Sequence, residues 1–436
     1  MEFVIDIDYL SKIFSGSPIE IALNVFRNGG WIVFLIALLY GLWNCWLFYA
    51  QTRYYEKAKF MLIKVNIQTT NEQSPKAVEN IFAQLSGAHT TNTLWETYGQ
   101  GDYQLPFAFE IVSLGGYINF FIYTETRFKN LVETIIYAQY PDAEIFEVND
   151  YVNNVPAKYP DPEYDLFGFE FILANNQAYP IKTHIEFEHA LTQELKDPLS
   201  GVLEALSCLT EGEQGWYQII VTPTSDAWKE ASHKLLNKLM GAETKAHKFS
   251  VADMVANTAL SGIGLLGDII PGGEVEAIGA KTGADTGKIN LLLNPLLKKQ
   301  LDGIARKASK IGFKTKIRYI YIGKREVFSK ARGVNTFVGG IKQFNTVDLN
   351  ALKPDLKRTG TRAYYVFTEL RKKWRKNKLI SAYKSRSGWR GSPSFILNIE
   401  ELATLYHFPS ILIKAPLIKK VTSRKAEPPT SLPTVN

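Results

Sequence analysis

The sequence predicts an α+β protein: one N-terminal transmembrane helix, then two βαββαβ modules, the second carrying a large insertion. Three observations carry this reading. Residues 31–50, WIVFLIALLYGLWNCWLFYA, run for twenty positions without a formal charge. Between residues 60 and 150, strand and helix periodicities alternate in the order β-α-β-β-α-β, with Gly115-Gly116 at the central turn. A comparable succession restarts after residue 164.

At about 1.5 Å per residue, a helix over 31–50 reaches roughly the 30 Å of a bilayer's hydrocarbon core. Tyr40, Trp43, Trp46 and Tyr49 crowd its second half and Trp31 opens it, as expected of rings at a membrane-water interface. The span is therefore set at 30–51, with 1–29 an extracytoplasmic segment. In that segment Ser17-Pro18-Ile19-Glu20 reads as the start of a short amphipathic helix. Arg53, Lys57, Lys59 and Lys64 follow the span, whereas only Lys12 and Arg27 stand against Glu2, Asp6, Asp8 and Glu20 ahead of it. The basic flank normally stays inside, so the expectation is a single-pass protein of the bacterial inner (cytoplasmic) membrane, N-terminus outside and bulk cytoplasmic.

Composition supports a folded bulk: 46% of the residues are hydrophobic and 13% aromatic, enough for buried cores in more than one domain. Cys45 in the apolar helix and Cys208 far along the chain cannot meet, which argues against a disulfide or a Cys-based metal site. The net charge of +7 is concentrated. Between Lys353 and Arg390 thirteen Lys or Arg face Asp355 and Glu369 alone, and the rest of the chain is acidic.

In module 1 (60–150), Met61–Ile67 reads as a strand, and Ser74-Pro75 opens a helix with Val78, Ile81, Phe82 and Leu85 on one stripe. Strands Phe107–Leu114 and Tyr117–Tyr123 flank the two glycines, a pair suited to a type I′ turn because both positions need positive φ. A helix bearing Leu131, Val132, Ile135 and Ile136 and a strand over Ala143–Val148 complete a ferredoxin-like split βαβ unit. Residues 151–164, with three prolines, read as a linker.

Module 2 (165–345 plus 394–398) begins with an expected hairpin of Leu166–Leu173 and Ile181–Phe187, then a helix after Asp197-Pro198 and a strand at Trp216–Val221. An insertion over 223–312 follows, glycine-rich and expected to be flexible at 250–290. The strand Phe313–Tyr321, a mostly helical 324–344 and a last strand at Ser394–Asn398 close the module. Residues 346–393 form a basic segment, 399–413 a helix and 414–436 a proline-rich disordered tail.

In the basic segment, Arg371, Lys372, Lys373, Arg375, Lys376 and Lys378 surround Trp374, with Tyr364, Tyr365, Tyr383 and Trp389 nearby. Cations interleaved with aromatic rings suit a nucleic-acid backbone or an anionic lipid leaflet; a solvated helix face is the plain alternative.

Catalytic signatures are missing. Near Gly283-Ala284-Asp285-Thr286-Gly287-Lys288-Ile289, a phosphate-binding loop would need glycine where Thr282 stands and a hydroxyl where Ile289 stands. His184, Glu186, Glu188 and His189 lie on an expected edge strand that sends His189 to the opposite face, which breaks up a metal set. The expectation is a protein without catalytic residues, cofactor or metal.

Leu105–Ile111 with its Gly-Gly hairpin, Trp216–Val221, and above all Asn398-Ile399-Glu400-Glu401-Leu402-Ala403-Thr404-Leu405-Tyr406-His407-Phe408-Pro409 give the chain a wider likeness. It resembles the membrane-anchored region ahead of the motor in HerA- and TraG-like conjugation ATPases of type IV secretion. It is similar, too, to single-span proteins of candidate-phylum bacteria in which this region stands as a separate polypeptide. The resemblance implies a non-catalytic inner-membrane subunit that anchors or assembles a DNA-translocation machine, with a HerA/TraG-like ATPase supplied in trans and ring-like homo-oligomers as a further expectation. It implies partner docking through Glu400, Glu401, Leu402, Leu405, His407 and Pro409. The rival readings are a membrane-tethered nucleic-acid-binding protein outside secretion, and an envelope enzyme without a recognisable motif.

Overall fold

The computed structural model describes residues 17–67, 71, 73–187, 197–240 and 295–409. The expectations for 250–290, the 282–289 loop, Glu188, His189 and the tail lie outside them. The chain divides into two compact units, residues 1–59 with 90–104, and residues 60–89 with 105–436.

In the first unit, helix α1 (Pro18–Val25) starts where expected: Ser17 N–H donates to Glu20 Oε2 at 2.9 Å, and Glu20 N–H returns to Ser17 Oγ. Helix α2 (Trp31–Lys57) is long and apolar enough to cross a membrane. Its one mid-span amide, Asn44, is satisfied locally by donating to the Tyr40 carbonyl at 2.7 Å. Most of its surface is exposed, but Leu47 and Ala50 are buried. Segment 90–104, which the sequence reading left inside module 1, belongs with α2. Trp46 Nε1 donates to the Tyr98 carbonyl at 3.0 Å, and the Trp43 and Tyr98 rings lie 5.6 Å apart. Gly101, at φ +77°, brings its backbone against Ala50 with no room for a Cβ.

The second unit holds a nine-stranded antiparallel sheet. Strand β1 (Phe60–Asn66) leads into helix α3 (Pro75–Leu85), whose Val78, Ile81, Phe82 and Leu85 are all buried. Strands β2 (Phe107–Leu114) and β3 (Tyr117–Glu125) turn at Gly115 and Gly116, φ +60° and +88°, giving the two-residue turn that positive φ permits. Helix α4 (Lys129–Gln139) and β4 (Glu144–Val148) complete this half, with strand order β4-β1-β3-β2.

The other half comprises β5 (Tyr164–Leu173), helix α5 (Ser200–Ser207), β6 (Glu213–Pro223), helices α6 (Ala227–Leu239) and α7 (Pro295–Ala308), and β7 (Gly312–Lys324). Helix α8 (Thr336–Ile341), β8 (Leu352–Pro354), helix α9 (Thr368–Lys384), β9 (Phe395–Asn398) and helix α10 (Ile399–Leu405) follow. Its strand order is β6-β7-β5-β8, and β6 pairs with β2 along eight residues, so both halves form one continuous sheet. The α+β class holds.

Two local expectations fail here, at residues 181–187 and 151–164, while the strand expected at Ser394–Asn398 forms. Residues 181–187 do not pair with β5. Ile181 N–H donates to Glu401 Oε1 and His184 N–H to Thr404 Oγ1, so helix α10 takes the place of a partner strand, and His184 sits buried in a short 3-10 turn. The outer strand beside β5 is β8, and Ser394–Asn398 contributes β9, which pairs with the start of β7. Residues 151–164 are no loose linker: Tyr151, Val152, Val155 and Tyr159 are buried beneath α9. The larger core lies on one face of the sheet, and the smaller, with Val112, Trp216, Ile320, Leu379, Ile380 and Tyr383, lies on the face that α9 covers.

Candidate functional site

The sheet face under α9 carries a feature that strand alternation alone would not suggest. Four central strands each send a polar residue to this face: Glu110 on β2, Gln218 on β6, Arg318 on β7 and Glu170 on β5. Pairing register aligns them, Glu110 opposite Gln218, Gln218 opposite Arg318 and Arg318 opposite Glu170. All four are wholly buried.

Buried polar groups persist when they are bonded, and these are. Gln218 Nε2 donates to Glu110 Oε1 at 2.7 Å, Arg318 Nη1 to Gln218 Oε1 at 3.3 Å, and Arg318 Nε to Glu170 Oε1 at 2.6 Å. Arg318 spends its remaining donors on the carbonyls of Ala382, Ser387 and Arg390, at 3.1, 2.6 and 2.7 Å. Its pKa is drawn down by burial, against the upward pull of Glu170. The second Glu170 oxygen accepts from Ser392 N–H. The row thus grips the end of α9 and the turn behind it.

Arg386 fixes that turn from the other side. It ends α9 in the left-handed region, φ +45°, where glycine is the usual occupant. Its guanidinium reaches both Glu110 and Asp150, which outweigh burial and raise its pKa. A glycine would relax the backbone and leave two carboxylates unpaired. The Tyr151 hydroxyl donates to Glu110 Oε2 at 2.8 Å and lies 2.9 Å from the Tyr383 hydroxyl; burial pushes both phenols well above their ordinary range.

Lys316, one alternation before Arg318, is buried with its Nζ 2.7 Å from the Arg390 carbonyl, and burial pushes its pKa down to about 8. The folded protein therefore releases this proton before the unfolded chain does. Below pH 8 both states hold it; as pH rises from about 8 towards the ordinary lysine value of 10.5, stability rises, by on the order of 3 kcal/mol from this residue. Denaturant titrations across that window should show the rise in the native chain and a flatter profile for Lys316→Met.

The basic residues singled out from the sequence sit on α9, above this row. Several are committed to their own chain: Arg371 to the Tyr364 carbonyl at 2.8 Å, Lys372 to Glu369 at 2.8 Å, and Lys376 to Asp165. Arg375 donates to the carbonyls of Lys357, Gly360 and Arg362. Lys378 Nζ stands 4.8 Å from the centre of the exposed Trp374 ring, and Lys373 is exposed. Arg358, Trp374, Arg375 and Lys378 line a pocket of about 290 Å³ whose floor includes Glu170, Thr359 and Gly391. The pocket is positively charged, because Arg318 already pairs with its one carboxylate.

The residues expected to dock a partner are elsewhere. Glu400, Glu401, Leu402, Leu405 and His407 are all buried and Pro409 half-buried. Asn398 and Glu401 form a reciprocal capping box; Glu401 also pairs with the buried Lys307 at 3.0 Å, and Glu400 with Arg306 and Lys310, both at 2.7 Å. His407 Nε2 lies 2.9 Å from Asp197 Oδ1. This helix packs against α3, β9 and the 184–187 turn, and offering these side chains to a partner would require it to leave that seat.

Among the described residues, no group of three or more His, Cys, Asp or Glu is placed to hold a metal ion. The sequence reading missed Glu110, Gln218, Arg318, Glu170 and Arg386. For Glu110, Gln218 and Glu170 the signal was a polar residue within an apolar run; Arg318 was masked by Lys314 and Lys316 on the same strand, and Arg386 by the other charges of the basic segment. No curated protein matches the chain. Residues 56–420, most of the chain and nearly all that follows the apolar helix, match the family model described as Domain of unknown function (DUF8128), and the protein belongs to that family.

Proposed function

We propose that the protein is a single-span membrane subunit whose folded body anchors and assembles a type IV secretion- or conjugation-like DNA-translocation machine, the ATPase being a separate HerA/TraG-like chain. The observation that carries the membrane part is α2: twenty residues without a charge, an exposed apolar surface, and aromatic rings gathered in its second half. The charge asymmetry of its flanks supports the body being cytoplasmic.

The strand orders β4-β1-β3-β2 and β8-β5-β7-β6 support reading the body as two ferredoxin-like modules, the second with its insertion between its second and third strands. Their inner edges are joined to each other, which favours a holding role for the body and leaves the outer faces for partners. The buried row under α9 supports the same reading, since its donors and acceptors are spent on each other and on backbone.

The test is affinity purification of the full chain from native membranes in mild detergent. The expected result is resistance to carbonate extraction together with recovery of a P-loop ATPase. A carbonate-soluble protein, or a lone monomer carrying neither ATPase nor DNA, would overturn the proposal.

A further inference from the structure

We propose that the segment entering α9, residues 364–374, is a second membrane contact that docks on an anionic lipid surface, with Tyr365, Val366 and Phe367 entering the interfacial layer. The inference rests on the membrane reading above and adds to it a site, a lipid class and a depth.

The segment displays apolar side chains outward. Tyr364 is 62% exposed, Tyr365 90%, Val366 67%, Phe367 72%, Leu370 65% and Trp374 61%. Tyr365 and Phe367 have positive φ, +68° and +54°, a region that bulky L-residues seldom occupy. Such strain persists where surrounding contacts impose it, and they do. Arg371 Nη1 holds the Tyr364 carbonyl, Arg371 N–H the Phe367 carbonyl at 3.0 Å, and Arg375 the Arg362 carbonyl at 2.6 Å. Cationic side chains thus tie the projection from behind, and their charge stays beside it.

Charge and shape together select the partner. Single-stranded nucleic acid needs stacking faces and free donors along a phosphate track. Val366 and Leu370 offer no stacking face, and Arg371, Arg375 and Lys376 already direct donors at their own chain. An anionic bilayer needs only net positive charge near its surface and apolar side chains to insert, and the segment supplies both. The cationic pocket at its foot, with Arg358 and Lys378, suits a headgroup phosphate. The chain also carries a helix of bilayer length, so a lipid surface is the partner it brings within reach.

The test uses the full chain in lipid nanodiscs, with Cys45→Ser and Cys208→Ser, and a fluorophore at Phe367→Cys or, as a control inside α2, at Phe34→Cys. In discs containing phosphatidylglycerol, the Phe367→Cys label should be quenched by doxyl-lipid and shielded from iodide; in phosphatidylcholine discs it should remain open to iodide. Lys373→Gln and Arg358→Gln should each lower the docked-to-undocked ratio about fivefold.

Iodide access at Phe367→Cys in both discs would overturn the inference while leaving the anchor intact if the Phe34→Cys label is lipid-quenched. Failure of lipid quenching at both labels would overturn the anchor as well. Equal docking in both discs would overturn the anionic selectivity. Shielding produced by a single-stranded oligonucleotide in phosphatidylcholine discs, without lipid quenching, would overturn the proposal in favour of nucleic acid.

Discussion

Arg318→Met is expected to cost about 3–5 kcal/mol of folding stability, a large share of the roughly 5–15 kcal/mol that holds a typical domain together. The size follows from what is left behind. Glu170 is left fully buried without its cationic partner, the Ser387 carbonyl loses its donor, and the carbonyls of Ala382 and Arg390 each lose one of theirs. Methionine fills much of the volume, so the loss would report polar bonding, with little from a cavity. Denaturant unfolding gives the magnitude, and hydrogen exchange across α9 and residues 385–392 gives the location. Because the harm comes from the orphaned carboxylate, Arg318→Met with Glu170→Met should cost less than the sum of the two single changes, a coupling that a double-mutant cycle reads directly. A single change within about 1 kcal/mol of the native chain would mean that the row does not hold α9.

The same row marks where sequence reading stops. Glu110, Gln218 and Glu170 each interrupt an apolar run and look like solvent-facing residues at a strand edge, and Arg318 continues the Lys314, Lys316 stripe of β7. What makes them interior is the pairing of β2 with β6 and of β6 with β7, contacts separated by about a hundred residues and fixed by register. No local period encodes them. Elements with strong local signals were legible: the α3 and α4 stripes, the Gly115-Gly116 turn, the capping box at Ser17, and the apolar length of α2. Strand β8, three residues long, has too little period to be seen, and the strand expected at Ser394–Asn398 forms as β9 beside the start of β7.

Helix α9 shows the other limit. Its charges dominate the composition of 353–390, so it reads as a surface element, and its outer face is one. Leu379, Ile380 and Tyr383 on the same helix complete the smaller core, and several of the cations that suggested a ligand are bound to their own backbone. Counting charges could not separate donors already spent from those still free. The exposed Tyr364–Phe367 segment, by contrast, was in view as interleaved aromatics, and the structure adds its outward display and its unusual φ values.

For helix α10 the expected result is that its amides exchange as slowly as those of the central strands, and that Lys307→Met selectively accelerates them. Lys307 and Glu401 are both fully buried, and Lys307 also donates to the Ile396 carbonyl at 2.9 Å. Burial lowers the pKa of Lys307, with Glu401 opposing that shift. Removing the lysine leaves Glu401 buried without its cationic partner, with only backbone donors from Ile181 and Asn398 to answer it, a loss of about 3 kcal/mol or more. Asn398→Ala, which removes a cap and creates no buried charge, should cost about 1 kcal/mol. The ranking separates two roles for residues 398–409. If the native helix exchanged quickly while the sheet stayed protected, it would already leave its seat, and Glu400, Glu401 and His407 could meet a partner. If exchange tracks the sheet and responds to Lys307, the segment is the final layer of the core, and any motor must bind a face that the folded body already presents.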